Sequence, residues 1–454
     1  MISLFDTARG EVVPLQTREP NKVSMYVCGP TVYGPPHLGH GRFSLVFDVL
    51  RRYLEWSGFE VEYVSNITDI DDKIIAKANS EGRAAESVAR EYEVVWYTVM
   101  DALGVKRPDS DPHATAYLSE MIALVSQLVE AGCAYETSDG VYFTPEVIKD
   151  YGLLARQPLE TLRVGARVES LQEKRSPFDF ALWKKSKPGE PSWDSPWGPG
   201  RPGWHTECVV MSLDLLGPGF DLHGGGQDLA FPHHENERAQ ALAAGKQFAH
   251  HWVHNGFVTV GDEKMSKSLG NYVDLLDLIE STDPRAYRLL VLRSHYRSPL
   301  EVTKATTHDA ATALVRLDNF ARNATTQVGP LTRADADEDV IGRFVAAMDD
   351  DLDTPAAVAL LFTNVTAANK AMAEGDLDGA RPLAAAVMEV ANALGLELHT
   401  RADIVPVEVI ELARRRDDAR AAKDWVTADG LRDEVLRRGY VLEDTPDGTE
   451  VRKA

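Results

Sequence analysis

Val23-Ser24-Met25-Tyr26-Val27-Cys28-Gly29-Pro30 is a short apolar run closed by a turn dipeptide, which predicts a buried strand. Residues 42–56 follow, with Phe43, Val46, Phe47, Leu50 and Leu54 at helical spacing, and residues 61–67 form a second apolar run. Strand, helix and strand in that order predict the opening of an α/β parallel sheet with its ligand site at the strand carboxyl ends.

Farther along, residues 220–223 and 252–260 predict a return to the sheet. Between the opening of the sheet and this return lie a helical pattern at 114–133, a strand at 140–144 and a stretch dense in Pro, Gly and Trp at 186–203, expected to be an ordered loop or linker. The expectation is a Rossmann-like parallel-sheet domain over 1–300 with an insertion at about 112–202. Ala-rich helical segments then predict an α-helical bundle over 301–400, broken by the polar stretch 325–339, with Thr354-Pro355 as a helix start. Residues 401–454 predict a small α+β unit: helices at 407–425 and 427–438, a stop at Gly439, and a hairpin around Pro446-Asp447-Gly448. The chain carries no internal repeat and no low-complexity segment.

At 454 residues, 44% of them hydrophobic, the chain can fill two or three cores. No apolar run approaches membrane-spanning length, and Met1-Ile2-Ser3-Leu4-Phe5-Asp6 lacks a basic n-region and an apolar h-region, so a cytoplasmic protein without membrane contact is expected. Three cysteines do not make a disulfide framework; Cys133 reads as core, leaving Cys28 and Cys208 for other chemistry. A net charge of −22 argues against nonspecific coating of nucleic acid but leaves room for local basic patches. Arg414, Arg415, Arg416, Arg420 and Lys423 form one such cluster, but Asp417, Asp418 and Asp424 run through it, so by itself it reads as a solvated helix face.

Cys28, Cys208, His233 and Glu237 form a set of possible metal ligands, the last two one helical turn apart. Four protein ligands match a closed structural site as well as a functional one. His37-Leu38-Gly39-His40 falls at a helix start after the first strand, where free N–H groups favour anions and Gly39 permits close approach of a nucleotide. Lys264-Met265-Ser266-Lys267-Ser268 reads as a Gly-flanked loop after a strand that could hold a triphosphate, or as a plain exposed basic loop.

The two short motifs resemble the signature pair of class I aminoacyl-tRNA synthetases, and the rest of the chain resembles the cysteinyl-tRNA synthetase family. The resemblance is carried by Cys28-Gly29-Pro30-Thr31-Val32-Tyr33, Asn66-Ile67-Thr68-Asp69-Ile70-Asp71-Asp72-Lys73, Gly203-Trp204-His205-Thr206-Glu207-Cys208 and Phe231-Pro232-His233-His234-Glu235-Asn236-Glu237. It continues through Arg293-Ser294-His295-Tyr296 and Met348-Asp349-Asp350-Asp351-Leu352-Asp353-Thr354-Pro355 into the last fifty residues. Three positions depart from the family pattern: His40 where Asn is frequent, Leu38 for Ile, and Gly34 where an acidic residue is common.

The resemblance implies a cysteine-tRNA ligase that uses L-cysteine, ATP and tRNA(Cys), expected to be a monomer. Zinc would be held by Cys28, Cys208, His233 and Glu237 and would bind the substrate thiol, separating cysteine from the similarly sized serine by softness. The thiolate would enter as a fifth ligand or loosen Glu237; His234 and Glu235 lie off that face and would support the ligands. His37, His40, Lys264 and Lys267 would stabilise adenylate formation, with Gly39 and Ser266 also at the ATP and Mg²⁺ on its phosphates. Asp228 is the candidate for the substrate ammonium, with Thr31, Thr68 and Trp204 lining the pocket. The helical region would bind tRNA and the C-terminal unit its anticodon, where Trp425, Arg432 and Arg438 are candidate base contacts.

Two other readings share these residues. A cysteine:amino-sugar ligase of mycothiol synthesis would keep the catalytic domain but lack the unit at 407–452. A non-catalytic paralogue that binds tRNA or senses cysteine would not need both motifs and all four ligands intact.

Overall fold

The computed structural model describes residues 1–156, 173–260, 263–264, 274–400, 406–445 and 448–453. Its central sheet runs in the order His251–Asn255, Leu222–Gly226, Lys22–Val27, Glu60–Val64, every neighbour parallel. The strand Lys22–Val27 is buried from Val23 to Val27 because both faces are covered, which is why it reads as a continuous apolar run. From it the chain leaves through the helix Leu38–Trp56 towards Glu60–Val64 on one side, whereas Leu222–Gly226 pairs on the other. That reversal makes a switch point between Lys22–Val27 and Leu222–Gly226, and the crevice at their carboxyl ends is where ligands bind in such sheets.

The helix Leu38–Trp56 starts four residues before the pattern at 42–56 predicts, because His37 caps it. The apolar run 252–260 is two strands rather than one: His251–Asn255 belongs to the central sheet, and Val258–Val260 to a three-stranded sheet with Glu263–Lys264 and Leu300–Glu301. Gly256 and Phe257 make the break.

The insertion holds the helix Leu118–Glu130 and an antiparallel sheet of Ala134–Glu136, Gly140–Phe143, Phe180–Lys185 and Gly200–Pro202. The last strand lies within 186–203, so that stretch is not all loop: its proline sits at a sheet edge, where no ladder N–H is required. Lys184 and Arg201 both meet Asp72, tying this sheet to the start of the helix Asp72–Glu81.

The helices Lys304–Val328, Glu338–Asp349, Thr354–Ala373 and Leu377–Ala393 share one apolar core with the outer face of Leu38–Trp56, including Tyr53, Phe344, Val387 and Leu394. The stretch 325–339 is shorter as a linker than its polarity implies, since Lys304–Val328 runs into it and Glu338 begins the next helix. Thr354 is already helical; the cap is Asp353, which accepts from Ala356 N at 3.0 Å. Across the seam, buried Arg288 donates to buried Asp48 at 2.6 Å, and to the Leu103 and Gly104 carbonyls. Burial alone would raise the Asp48 carboxyl, but Arg288, Arg52 and the Lys106 N–H hold it below the ordinary carboxylate range.

The C-terminal unit has its own small core of Val409, Leu412, Leu431 and Val435, covered by Tyr440, Leu442 and Val451 of the hairpin Tyr440–Thr445 and Gly448–Lys453. Its helices are Val407–Ala421 and Trp425–Arg437, so Trp425 opens the second helix instead of closing the first. Lys423 in the left-handed region (φ 61°) and Asp424, which caps through Thr427 N at 3.2 Å, set that boundary. The turn residues Pro446 and Asp447 lie outside the described residues. Among the described residues, no helix is long and apolar enough to cross a membrane.

Candidate active site

Four elements deliver the ligand candidates to one cup. Cys28 follows the strand Lys22–Val27, Cys208 lies on the helix Trp204–Leu215, His233 closes the irregular turn Ala230–His234, and Glu237 lies one turn on in the helix Glu235–Ala243. Gly29 permits the chain to pass here, because a Cβ would come within 1.6 Å of the Asn66 carbonyl oxygen. All four side chains are buried, and their ligand atoms lie within 4.8 Å of one another.

The distances suit a metal ion. Cys28 Sγ lies 3.6 Å from Cys208 Sγ and 3.5 Å from Glu237 Oε1, and Cys208 Sγ lies 3.6 Å from His233 Nε2. A tetrahedral zinc with bonds of about 2.0–2.3 Å sets ligand-to-ligand edges of about 3.3–3.8 Å. One edge is shorter: His233 Nε2 and Glu237 Oε1 are 2.8 Å apart, a hydrogen-bonded ion pair that a cation would open. Cys28 and Glu237 could also join His223 and His234 in a second grouping. The set with two thiols is the softer and suits zinc better, while His223 Nε2 contacts Glu237 Oε2 at 2.7 Å and His234 Nδ1 contacts His254 Nε2 at 2.8 Å.

Charge within the cup is polarised. Burial pushes the Cys28 thiol up, and Cys208 and Glu237 add to that. Burial acts the same way on Cys208, but the hydrogen bond from Cys28 and the His233 imidazole reverse it and bring this thiol down to about 6. For His233 burial lowers the pKa, whereas Glu237 and Cys208 raise it to about 10. Glu237 stays well below the carboxylate range despite its burial, owing to His233 and His223. Anionic donors thus surround a cationic ring, a pattern in which a dication can replace protons.

Histidines that no local spacing singles out support this cup. His205 Nδ1 contacts His233 Nδ1 at 2.9 Å, which leaves His233 Nε2 facing the thiols, and His254 Nδ1 contacts Thr7 Oγ1 at 2.7 Å. Burial keeps His205 and His254 neutral, His254 at about 3. Glu235 accepts from Leu154 N at 2.7 Å and lies off the ligand face as the helical spacing predicts, whereas His234, which turns to His223 and His254, stands close enough to Cys28 and Glu237 to belong to the second grouping.

Three of the four pocket candidates adjoin the cup. Thr31 and Thr68 bridge in parallel, Thr68 Oγ1 donates to Glu207 Oε2 at 3.1 Å, and Trp204 stacks on His233 with ring centroids 4.0 Å apart. Asn66 and Glu207 join them: Asn66 Oδ1 accepts from Gly29 N at 2.9 Å and its amide donates to Thr68 Oγ1 at 3.1 Å. Asp228 is exposed just beyond the strand Leu222–Gly226, beside Gly226.

At the other end of the crevice His37 and His40 cap each other. His40 Nδ1 accepts from His37 N at 3.2 Å, His37 Nδ1 accepts from His40 N at 3.3 Å, and the rings stack at 3.7 Å. With each Nδ1 accepting, a neutral ring carries its proton on Nε2, so both Nε2–H groups are donors beside a helix N-terminus. Gly39 lies in this first turn, half-exposed. Ser266 and Lys267 lie outside the described residues, and of Lys264 only the strand Glu263–Lys264 is described. Both flanks of that loop meet the capped turn: Leu275 N donates to Pro36 O at 3.1 Å, Asp274 bridges His37, and Arg42 holds Phe257 O at 2.6 Å.

Residues 14–312 match the family described as the tRNA synthetases class I (C) catalytic domain, 343–399 a DALR domain, and 405–452 a cysteinyl-tRNA ligase anticodon binding domain. The cysteine-tRNA ligase of Halorhodospira halophila is 45% identical over 463 residues, covering 100% of both chains, and that of Carboxydothermus hydrogenoformans is 45% identical over 449, covering 96% of each. The chain belongs to the cysteine-tRNA ligase family of class I aminoacyl-tRNA synthetases. It is an enzyme of that ligase class. Solved structures support the fold alone: Mycobacterium tuberculosis methionyl-tRNA synthetase with methionyl-adenylate has a TM-score of 0.60 at 16% identity, over 82% of this chain and 89% of that one. The Agrobacterium radiobacter K84 LeuRS ternary complex with tRNA and LeuAMS has a TM-score of 0.62 at 12% identity, over 84% of each.

Proposed function

We propose that the chain joins L-cysteine to tRNA(Cys) in two steps. The cysteine carboxylate attacks the α-phosphate of ATP, releasing pyrophosphate and leaving cysteinyl-adenylate; a hydroxyl of the terminal tRNA ribose then takes the cysteinyl group and AMP leaves. The observation that carries this reading is the buried cup of two thiols, an imidazole and a carboxylate at the switch point, walled by Thr31, Thr68 and Trp204. Zinc held by Cys28, Cys208, His233 and Glu237 would supply a soft Lewis acid that prefers a thiolate to the hydroxyl of serine.

The chain's own residues do the rest. His205 and His223 hold His233 and Glu237 in position. Asp228 takes the substrate ammonium at the mouth, and Thr68, fixed by Asn66 and Glu207, sets the floor. His37 and His40 present their Nε2–H groups to the phosphates, where Lys264 and Lys267 also act and Mg²⁺ arrives with ATP. No side chain is a nucleophile; catalysis is positioning and charge stabilisation. The domain roles follow the division into 1–300 for chemistry, 301–400 for tRNA and 401–454 for the anticodon. Trp425 is 59% exposed, so its ring is free to stack on a base, with Arg432 and Arg438 nearby in sequence. An amino-sugar acceptor would leave this folded terminal unit without a task.

Cysteine-dependent ATP–pyrophosphate exchange, followed by transfer to a tRNA(Cys) transcript or to a cysteine-accepting amino sugar, tests the reading. Exchange with cysteine but not serine, and charging of the tRNA alone, is the expected result. Exchange without tRNA charging contradicts it, as does fully zinc-loaded protein that gives no exchange.

A further inference from the structure

Arg42 lies on the second turn of the helix Leu38–Trp56, two residues after His40, and is 1% exposed. Unlike Arg288, which meets Asp48, it has no carboxylate within ion-pair distance among the described residues. Its guanidinium is held by backbone alone: Nη1 donates to Phe257 O at 2.6 Å, and Nη2 to His295 O and Tyr296 O, both at 3.2 Å, and to Ser298 O. Its Nε has no partner. Burial holds its pKa down at about 10, still well above neutrality.

Burying a cation against dipoles is a costly way to fill space, and an apolar side chain would serve a plain core better. The identity of the carbonyls shows what the arginine does. Phe257 immediately precedes the strand Val258–Val260, and Ser298 lies two residues before its parallel partner Leu300–Glu301, with Val258 opposite Leu300. Thr259 in turn lies opposite Lys264. One planar group therefore grips the starts of two neighbouring strands, and the third strand of that small sheet carries the first lysine of the second signature motif. Gly256 lets the seam close, since a Cβ there would come within 2.5 Å of Arg297 O and 2.6 Å of Ser298 O.

We infer that Arg42 is a positioning residue for the nucleotide step, locking the sheet whose third strand includes Lys264 to the helix that starts at His37 and His40. It touches no substrate and acts through the register between the two motifs. Lysine cannot replace it, because one ammonium on a flexible stem cannot span four carbonyls fixed in a fork geometry. An error of about 1 Å in such an alignment costs on the order of 10²-fold in rate.

The inference rests on the proposed adenylate chemistry, and wild-type exchange run alongside separates the two: if the wild type does not exchange, both are overturned. Arg42→Lys should keep its zinc and its KM for cysteine while kcat/KM for ATP in exchange falls by about 10- to 100-fold. Gly256→Ala, which leaves Arg42 intact and presses on the same seam, should shift ATP kinetics in the same direction. Zinc content reports whether each variant has folded. Either variant, folded and zinc-loaded, with ATP kcat/KM within about twofold of wild type overturns the inference. So does a loss shared equally by cysteine KM, ATP KM and zinc, which marks a merely structural residue.

Discussion

The two ends of the crevice are built on opposite plans. At the cup all four donors are buried, and three are backed by a further polar group: His233 by His205, Glu237 by His223, Cys208 by Asn66. At the end proposed for the nucleotide two half-exposed imidazoles cap each other at the helix start, with Trp96 edge-on to His40, and the partner motif enters from a separate small sheet. The contrast suggests a division of labour. Choosing a thiol over a hydroxyl needs a fixed site, whereas stabilising phosphate charge needs donors that face solvent and a large anion.

The largest expected break comes at the cup. Cys208→Ser should lose bound zinc, measured by metal analysis, and lower cysteine-dependent exchange by at least about 10³-fold. Retained exchange in zinc-free protein would erase the contrast. Next is the body that carries both ends. Asp48→Asn strands the Arg288 charge and should cost about 3–5 kcal/mol in denaturant unfolding at pH 7. Because the Asp48 pKa is lowered by folding, its contribution is fully present above the unfolded value of about 3.9 and fades as pH falls through the folded one. The difference between wild type and variant should therefore shrink only in acid.

At the nucleotide end, His40→Ala should lower kcat for exchange by about 10²- to 10³-fold with zinc content and cysteine KM unchanged. A parallel loss of cysteine affinity would show that the two ends are one site. His223→Ala sharpens the comparison from the other side: removing the group behind Glu237 should weaken zinc binding by about 10- to 100-fold in a chelator competition. The smallest effect is expected far from both ends, where Trp425→Ala should weaken tRNA binding by about 1–3 kcal/mol and leave exchange untouched.

The same contrast separates what could be read in the sequence from what could not. The parallel sheet, the helical body and the C-terminal unit follow from apolar periodicity. The four ligand candidates are recognisable as thiols and a turn-spaced His–Glu pair. The histidines behind them are invisible at that level, since His205, His223 and His254 come from a helix and two strands that only the fold brings together. The motif at 37–40 is legible as a helix start, but the reciprocal cap made by its two histidines is not, since sequence patterns assign that role to Ser or Thr with Glu. Arg42 reads as an ordinary polar residue in an amphipathic helix until its carbonyl partners, more than two hundred residues away, are seen. The strand Gly200–Pro202 was masked by its own proline and glycine.

The central claim is that the cup receives the substrate thiol itself. Cobalt(II) in place of zinc makes this visible through thiolate-to-metal absorption in the near ultraviolet. Cysteine should strengthen and shift that band at concentrations matching its KM in exchange, and serine should leave it unchanged. A spectrum indifferent to cysteine, in cobalt-loaded protein that still forms cysteinyl-adenylate, would reduce the metal to a structural role and contradict the account.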